Sequence, residues 1–527
     1  MVLKSVIYLL CFTISCIESA RILAMFPTPS ISHQVVFRPI TQELAKRGHE
    51  VIVITPDPAY PKGQAPKNLT EIDVHDISYS KWKIMMGRIK DVARDVTEQL
   101  EVIVDSNNAV FEEQMKSESV QEILKYKKDY FDLIIVEACV RLTIGLSYVF
   151  KAPIIQVSSF GATMDNHYIT GTPTHPLLYP SMVRDRLYNL TMWEKLKQLR
   201  KEFISEMYTY NFEYDNEILK RVFGENVPRI DELYDNVAML FLNFHHIWDS
   251  NRPVPPSVIY MGGLHQNPQK ELPKSYLDSS KNGVIYFSLG TNVKPSNLPS
   301  EKLQVIINVF SRLPYDVLWK WDDEELPGRT KNIKISKWLP QSDLLRHPKI
   351  KLFVTQGGLQ STDEAITAGV PVIGIPMLGD QWFNAEKYVH FNIGHKLDID
   401  TLTEEQFDNA IKSILNNNSY RENIVRLRSI MQDQPQSPLE RAVWWTEHVL
   451  RHGGARHLRG PAANISWAQY LELELVLTLA AILISSLIIL FIVAKLIWNV
   501  LKVQLSAVIK RIQCELYLPL KLYQSVC

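Results

Sequence analysis

The chain carries no net charge: 57 lysines and arginines balance 57 aspartates and glutamates over 527 residues. Binding of nucleic acid through bulk charge has no support, because that mode needs a basic surplus. Cysteine is scarce, with five residues in all. Cys11 and Cys16 lie in an N-terminal stretch that reads as a removable leader, which leaves Cys139 alone in the body of the chain. No internal disulfide is therefore expected there. No cluster with metal-ligand spacing stands out, so no metal is expected. Long apolar runs are almost missing too, and only one is of bilayer length.

That run is Leu475 to Ala494, uncharged and bounded by Glu474 and Lys495. Beyond it Lys495, Lys502, Lys510, Arg511 and Lys521 stand against a single Glu515, a bias that assigns residues 495–527 to the cytosol. At the other end Lys4 precedes an apolar stretch, Val6 to Ile17, too short to span comfortably, and residues 1–20 read as a signal peptide. A single-pass type I membrane protein with a lumenal body is expected. Its sequons at Asn68, Asn189, Asn417 and Asn464 all fall on the lumenal side.

What the sequence does have is concentrated between Leu352 and Gln381. Leu352 to Thr355 reads as a buried strand, Gln356 to Gly358 as a tight turn, and Ser361 to Ala368 as a helix with Asp363 and Glu364 in its first turn. Gly369 caps that helix, Pro371 stops it, and Val372 to Pro376 is a second strand. This is a βαβ unit whose helix start offers unpaired amides to an anion. Gly357 and Gly358 let the backbone approach a phosphate, and Glu364 can accept from sugar hydroxyls. Asp380 and Gln381 follow the second strand, where open α/β sheets bind ligands.

The same β-loop-α-β pattern opens the chain. Ile22 to Pro27 is a strand; Val36, Ile40 and Leu44 mark a helix that either kinks at Pro39 or starts there; Val51 to Thr55 is the next strand. His33 lies between strand end and helix start, and on its own reads as a polar loop residue or cap. Phe131 to Val136 is a strand ending at Glu137. Between Tyr60 and Lys128 no chemical motif appears.

The stretch Thr355, Gln356, Gly358, Glu364, Pro371, Pro376, Asp380, Gln381 closely resembles the signature of the family 1 UDP-glycosyltransferases. Trp338, Leu339, Pro340 and Gln341 resemble a second element of that family. The resemblance covers nearly the whole chain and is nearest to membrane-bound animal enzymes of insect type. It implies an α/β protein of GT-B fold: two Rossmann-like doubly wound domains facing a cleft, plus the C-terminal transmembrane helix. The domains would be an acceptor-binding one over 21–245 and a UDP-sugar-binding one over 281–436, joined by an exposed linker over 246–280. A crossing helix and juxtamembrane segment (437–474) would lead to the membrane helix (475–494).

The resemblance further implies transfer of a hexose, glucose by preference, from a UDP-sugar to a hydroxyl of a small lipophilic acceptor, with inversion. His33 would be the base and Glu137 its partner, where the family usually has Asp. The donor would be held by Gly290, Thr291, Trp338 (stacked on uracil), Gln341 (on ribose), Gln356, Gly357, Gly358, Gln360, Ser361, Glu364, Asp380 and Gln381. Gln356 stands where most animal members carry His. The aromatic stretch Tyr179, Tyr188, Trp193, Phe203, Tyr208, Tyr210, Phe212 and Tyr214 would form part of the acceptor wall. UDP-sugar is a co-substrate, and no separate cofactor is expected. Residence in the endoplasmic reticulum follows from resemblance alone, and homo- or hetero-oligomers stay open. The rival reading is a non-catalytic lipophile carrier on the same fold, which a damaged dyad or donor motif would favour.

Overall fold

The computed structural model describes residues 19–87, 96–209, 212–266, 270, 277–291 and 293–523. The expected leader lies outside them except for its last two positions.

Seven strands form the first sheet: β1 (Arg21–Met25), β2 (Glu50–Thr55), β3 (Leu69–Asp73), β4 (Leu133–Glu137), β5 (Ile154–Ser158), β6 (Val237–Leu242) and β7 (Val258–Tyr260). Their spatial order is β3-β2-β1-β4-β5-β6-β7, with every pairing parallel. The second sheet holds β8 (Val284–Ser288), β9 (Asp316–Lys320), β10 (Ile333–Ser336), β11 (Ile350–Thr355), β12 (Val372–Gly374) and β13 (Gly394–Lys396). Its order is β10-β9-β8-β11-β12-β13, again all parallel. Strands β4, β5 and β8 are buried at every position, as strands covered on both faces are. Successive residues feed opposite layers: Ile22 and Ala24 join one core, Leu23 and Met25 the other.

In both sheets the strand order reverses once, between β1 and β4 in the first and between β8 and β11 in the second. Chain leaving the carboxyl ends of two such strands diverges to opposite faces and leaves a crevice, where open α/β sheets bind ligands. Helix α1 (Ile31–Lys46) leaves β1 in this way. It begins well before Pro39, so the proline sits inside the helix rather than at its start. Val36, Phe37, Ile40 and Leu44 bury its inner face, and Phe37 stacks on Phe26 at 4.2 Å.

The stretch read as an exposed linker is largely structural. Strand β7 completes the first sheet from within it. Asp249 and Arg252 are buried and paired, and Arg252 donates to the carbonyls of Pro173, Tyr179 and Pro180. Charges and prolines suggested solvent, but Asp249 and Arg252 answer each other inside the fold. Trp248, 1% exposed, donates to Asn384 Oδ1 at 2.8 Å, and one apolar core runs through Leu240, Phe244 and Trp248 into Phe383 and Tyr388. The two Rossmann-like domains thus share a core beneath their cleft.

Helices α2 (Val96–Lys116), α3 (Met192–Thr209), α4 (Leu359–Ala368), α5 (Gln381–His390) and α6 (Pro438–His452) complete what the site needs. Helix α6 starts with Pro438 behind a Ser437–Glu440 capping box and ends on Gly453 at φ +62°. It packs on the first sheet's outer layer: Ala442, Val443 and Val449 enter that core, and buried Glu447 accepts from Arg47 at 3.1 Å.

Residues 465–527 form a separate unit. Its helix α7 (Leu473–Tyr523) contains the one stretch among the described residues long and apolar enough to cross a bilayer, Leu473–Glu515. The helix does not stop at Lys495. Lysine is a good helix former and the residues after it stay mostly apolar, so nothing there breaks the backbone.

Candidate active site

In the first domain the crevice brings together two residues over 100 positions apart in sequence. His33 lies in the first turn of α1 and Glu137 is the last residue of β4. The register Met25↔Val136 sets β1 and β4 side by side. His33 Nδ1 and Glu137 Oε1 are 2.6 Å apart, so the longer glutamate spans the gap. Glu137 has no exposure. Its Oε2 accepts from the Thr28 amide at 3.0 Å, and its Oε1 also accepts from the Cys139 thiol at 3.3 Å. Burial, reinforced by the Glu137 charge, pushes that thiol well above its ordinary pKa and keeps it a neutral donor. Phe160 meets the imidazole edge-on at 5.4 Å. With Nδ1 held, Nε2 is the atom left for the cavity that His33 lines.

The second domain repeats the logic. Register Thr355↔Ser288 sets the loops after β8 and β11 against each other. Gly290, at φ +77°, packs so closely on Gln356 that a Cβ would stand 2.1 Å from the amide nitrogen. Gly357, at φ +89°, would bring a Cβ to 3.2 Å from the Gln381 carbonyl, a tight contact. Helix α4 then begins at Leu359, so Asp363 and Glu364 fall in its second turn rather than the first. Gln341 links the parts: Nε2 donates to Glu364 Oε2 at 2.7 Å and Ser361 Oγ at 2.9 Å, while Oε1 accepts from Tyr286 at 3.1 Å. Asp380 Oδ2 accepts from the Leu359 amide and from Asn384 at 2.8 Å. Gln381 Oε1 accepts from the Met377 and Leu378 amides, both at 2.8 Å.

Burial dominates the electrostatics. It pushes Glu364 up to about 7, against the Gln341 hydrogen bond, and Asp380 up to about 6, against Asn384 and the backbone amides. Asp363, buried and beside Glu364, rises to about 8.

One cavity of about 1070 Å³ joins the two crevices. His33, Gly290, Thr291, Trp338, Gln341, Gln356, Gly358, Gln360, Ser361, Glu364, Asp380 and Gln381 all line it. Glu137 and Gly357 lie behind its wall. Gln360 reaches across the cleft to donate to the Ser159 carbonyl at 2.9 Å, so it joins the domains as well. Trp338 is 66% exposed, leaving its ring available for stacking. Gln356 Oε1 is buried without a hydrogen-bond partner, an acceptor or (with the amide flipped) a donor waiting for a ligand.

Two features escaped the sequence reading. Lys320, the last residue of β9, donates to the Gly290 carbonyl at 2.9 Å and lies 5.1 Å from the Trp338 ring centre. A lysine closing the buried run VLW was the available signal. On the acceptor side, the expected aromatic wall is mostly elsewhere. Among the described side chains of that set only Tyr214 lines the cavity. Trp193 and Phe203 are exposed, Tyr188 stacks on His390 at 4.0 Å, and the side chains of Tyr208 and Tyr210 lie outside the described residues. Helix α3 presents instead Gln198, Lys201, Glu202 and Ser205, a spacing that puts one polar face on the cavity. Apolar lining comes from Leu100, Ile103 and Val104 of α2, in the stretch without a motif, together with Phe160, Met182, Val183 and Ile204.

A model of the family described as UDP-glucoronosyl and UDP-glucosyl transferase matches residues 21–510. The chain belongs to the UDP-glycosyltransferase family. It is 37% identical to an ecdysteroid UDP-glucosyltransferase of Spodoptera littoralis nuclear polyhedrosis virus, over 89% of this chain and 95% of that one. It is 32% identical to UDP-glucosyltransferase 2 of Dactylopius coccus, over 87% and 89% respectively. Among solved structures, the calicheamicin glycosyltransferase superposes with a TM-score of 0.56 at 16% identity, covering 82% of this chain and 99% of its own. The glycotransferase of kitacinnamycin gives 0.56 at 17%, covering 83% and 99%. The fold is therefore GT-B and the protein is a glycosyltransferase that uses a UDP-sugar.

Proposed function

We propose that this UDP-glycosyltransferase moves glucose from UDP-glucose to a hydroxyl of a small lipophilic acceptor, inverting the anomeric carbon, with His33 as general base. The observation that carries the reading is the 2.6 Å bond between His33 and buried Glu137, opening on the cavity that the donor signature also lines. A hydroxyl is a poor nucleophile at neutral pH. Nε2 takes its proton as the oxygen bonds to the anomeric carbon, and the bond from that carbon to the UDP oxygen breaks with its electron pair. Glu137 holds the ring so that Nδ1 carries the other proton, and its charge offsets the imidazolium that forms. The start of α4 and Gln356 meet the negative charge on the departing diphosphate. Trp338 stacks on the uracil, with Lys320 at its ring.

Glucose rather than glucuronate is supported by the groups that follow β12. Asp380 and Gln381, with Glu364, can accept from and donate to hydroxyls, whereas buried acids would repel a sugar carboxylate. The names of the Dactylopius and viral relatives support the same donor, and the viral names support an acceptor of steroid size. The UDP-sugar is a co-substrate and no cofactor enters the scheme. The body is assigned to the endoplasmic reticulum lumen, anchored by α7.

The test is His33→Ala in membranes with UDP-glucose and a panel of phenols and steroids. Turnover should fall about 10²–10⁴-fold. UDP-glucose binding should persist, because its contacts lie in the other domain. Near-normal turnover with donor binding intact would remove the base assignment and reopen the carrier reading. A preference for UDP-glucuronate in competition would overturn the choice of sugar.

A further inference from the structure

Helix α6 ends in a histidine corner outside the cavity. His448 and His452 are one turn apart on the same helical face. Gly453 and Gly454, at φ +62° and +135°, then turn the chain back. That reversal brings His457, in the short turn Arg456–Leu458, against both. His448 Nε2 and His457 Nε2 are 3.2 Å apart. The ring centres are 4.5 Å apart for His448 and His452, 5.4 Å for His448 and His457, and 5.9 Å for His452 and His457.

His448 and His457 already hold two ring nitrogens at ligand separation, while the His452 nitrogens do not yet converge on them. Imidazoles bound tetrahedrally at about 2.0–2.1 Å from a metal hold their ligand nitrogens about 3.4 Å apart and their ring centres about 5 Å apart. His452 and His457 are exposed, so the rings have room to turn the third nitrogen inward. Arg451 lies beside His452 in the last turn of the same helix. The Arg451 charge is itself answered by Glu447 at 3.8 Å. Trp444 stacks on His448 at 5.5 Å and Trp445 meets it edge-on at 5.1 Å, so two indoles flank the corner.

We propose that His448, His452 and His457 form a surface site for one zinc-class dication, with water in the fourth position. Three imidazoles at the surface, two of them exposed, that take no part in lining the substrate cavity make it a structural site. It pins the last turn of α6 to the turn that follows, and so steadies the helix that crosses onto the first domain. Imidazole ligation and the general affinity order make Cu²⁺ the tightest probe and Zn²⁺ its competitor.

The experiment uses the full-length protein in detergent, purified without a histidine tag. One equivalent of Cu²⁺ should quench the part of the emission contributed by Trp444 and Trp445, out of 11 tryptophans. The copper spectrum should carry nitrogen hyperfine structure, and a large excess of Zn²⁺ should reverse the quenching. His448→Ala and, separately, His457→Gln should lose the tight phase while transferase activity is kept. Zn²⁺ should also raise the melting temperature of the wild type but not of His457→Gln. His33, Glu137 and Cys139 offer a second set of ligand atoms within 4.8 Å of one another. Loss of the tight phase in Cys139→Ser, or its survival in the His448→Ala/His457→Ala double variant, would overturn the proposal.

Discussion

The Glu137→Gln substitution tests the dyad by hydrogen-bond bookkeeping. Glu137 is fully buried and accepts three donors: His33 Nδ1–H, the Thr28 amide and the Cys139 thiol. Glutamine has nearly the same shape but only one oxygen. If that oxygen stays on the Thr28 amide, the NH₂ group points at His33 Nδ1, which must then become an acceptor. The ring proton moves to Nε2, and the base is lost although every atom stays in place. The comparable change in a serine-protease triad lowers turnover about 10⁴-fold by imposing the wrong tautomer. If the oxygen turns to His33 instead, two N–H donors face each other at Thr28, costing about 1–3 kcal/mol of stability. Either way turnover should fall by about 10²–10⁴, equivalent to about 3–5 kcal/mol of activation free energy. The assay is initial rate against pH with UDP-glucose and a phenol, alongside donor binding and melting temperature. Turnover within threefold of wild type, with an unchanged pH profile, would refute the argument. Glu137→Asp retracts the carboxylate by one methylene and should open the 2.6 Å bond, again slowing turnover.

Other perturbations probe the donor side and the anchor. Gly290→Ala places a Cβ 2.1 Å from the Gln356 amide at φ +77°, so it should lower stability by at least the about 1–2 kcal/mol of left-handed strain and weaken UDP-glucose binding, read by melting temperature and equilibrium dialysis. Glu364 and Asp380 are raised from 4.5 and 3.8 to about 7 and about 6. The unliganded protein should therefore lose stability as pH rises from about 4 through 7, the folded state holding protons that the unfolded chain releases. Sugar hydroxyls donated to these carboxylates favour the charged form, so UDP-glucose binding near pH 6.5 should release protons. Calorimetric heats independent of the buffer's ionisation enthalpy would count against it. Truncation before Leu473 should move the protein from carbonate-washed membranes to the supernatant, and full retention in the pellet would mean another attachment.

The sequence by itself determined what is local. Strand and helix identities followed from period: FDLIIV read as a buried strand, and Val36, Ile40 and Leu44 as one face of a helix. The donor signature was legible because its chemistry lies within one βαβ unit, Thr355 to Gln381, whose glycines, cap and acids are fixed by backbone geometry. The apolar run after Glu474 was equally plain from length and charge. Tertiary structure decided whatever depends on strand order. Nothing in the sequence states that β1 neighbours β4, or β8 neighbours β11, and those two adjacencies bring His33 to Glu137 and Gly290 to Gln356. Lys320 showed only as a lysine closing a buried run, since it joins the site only because β9 lies beside β8. The acceptor wall shows the limit of composition. Aromatic content pointed to the stretch around α3, yet helical phase turned Trp193 and Phe203 outward, and much of the apolar lining came from Phe160, Met182 and three residues of α2. Composition says which residues could bury a lipophile; only the packing of one helix against another chooses which do.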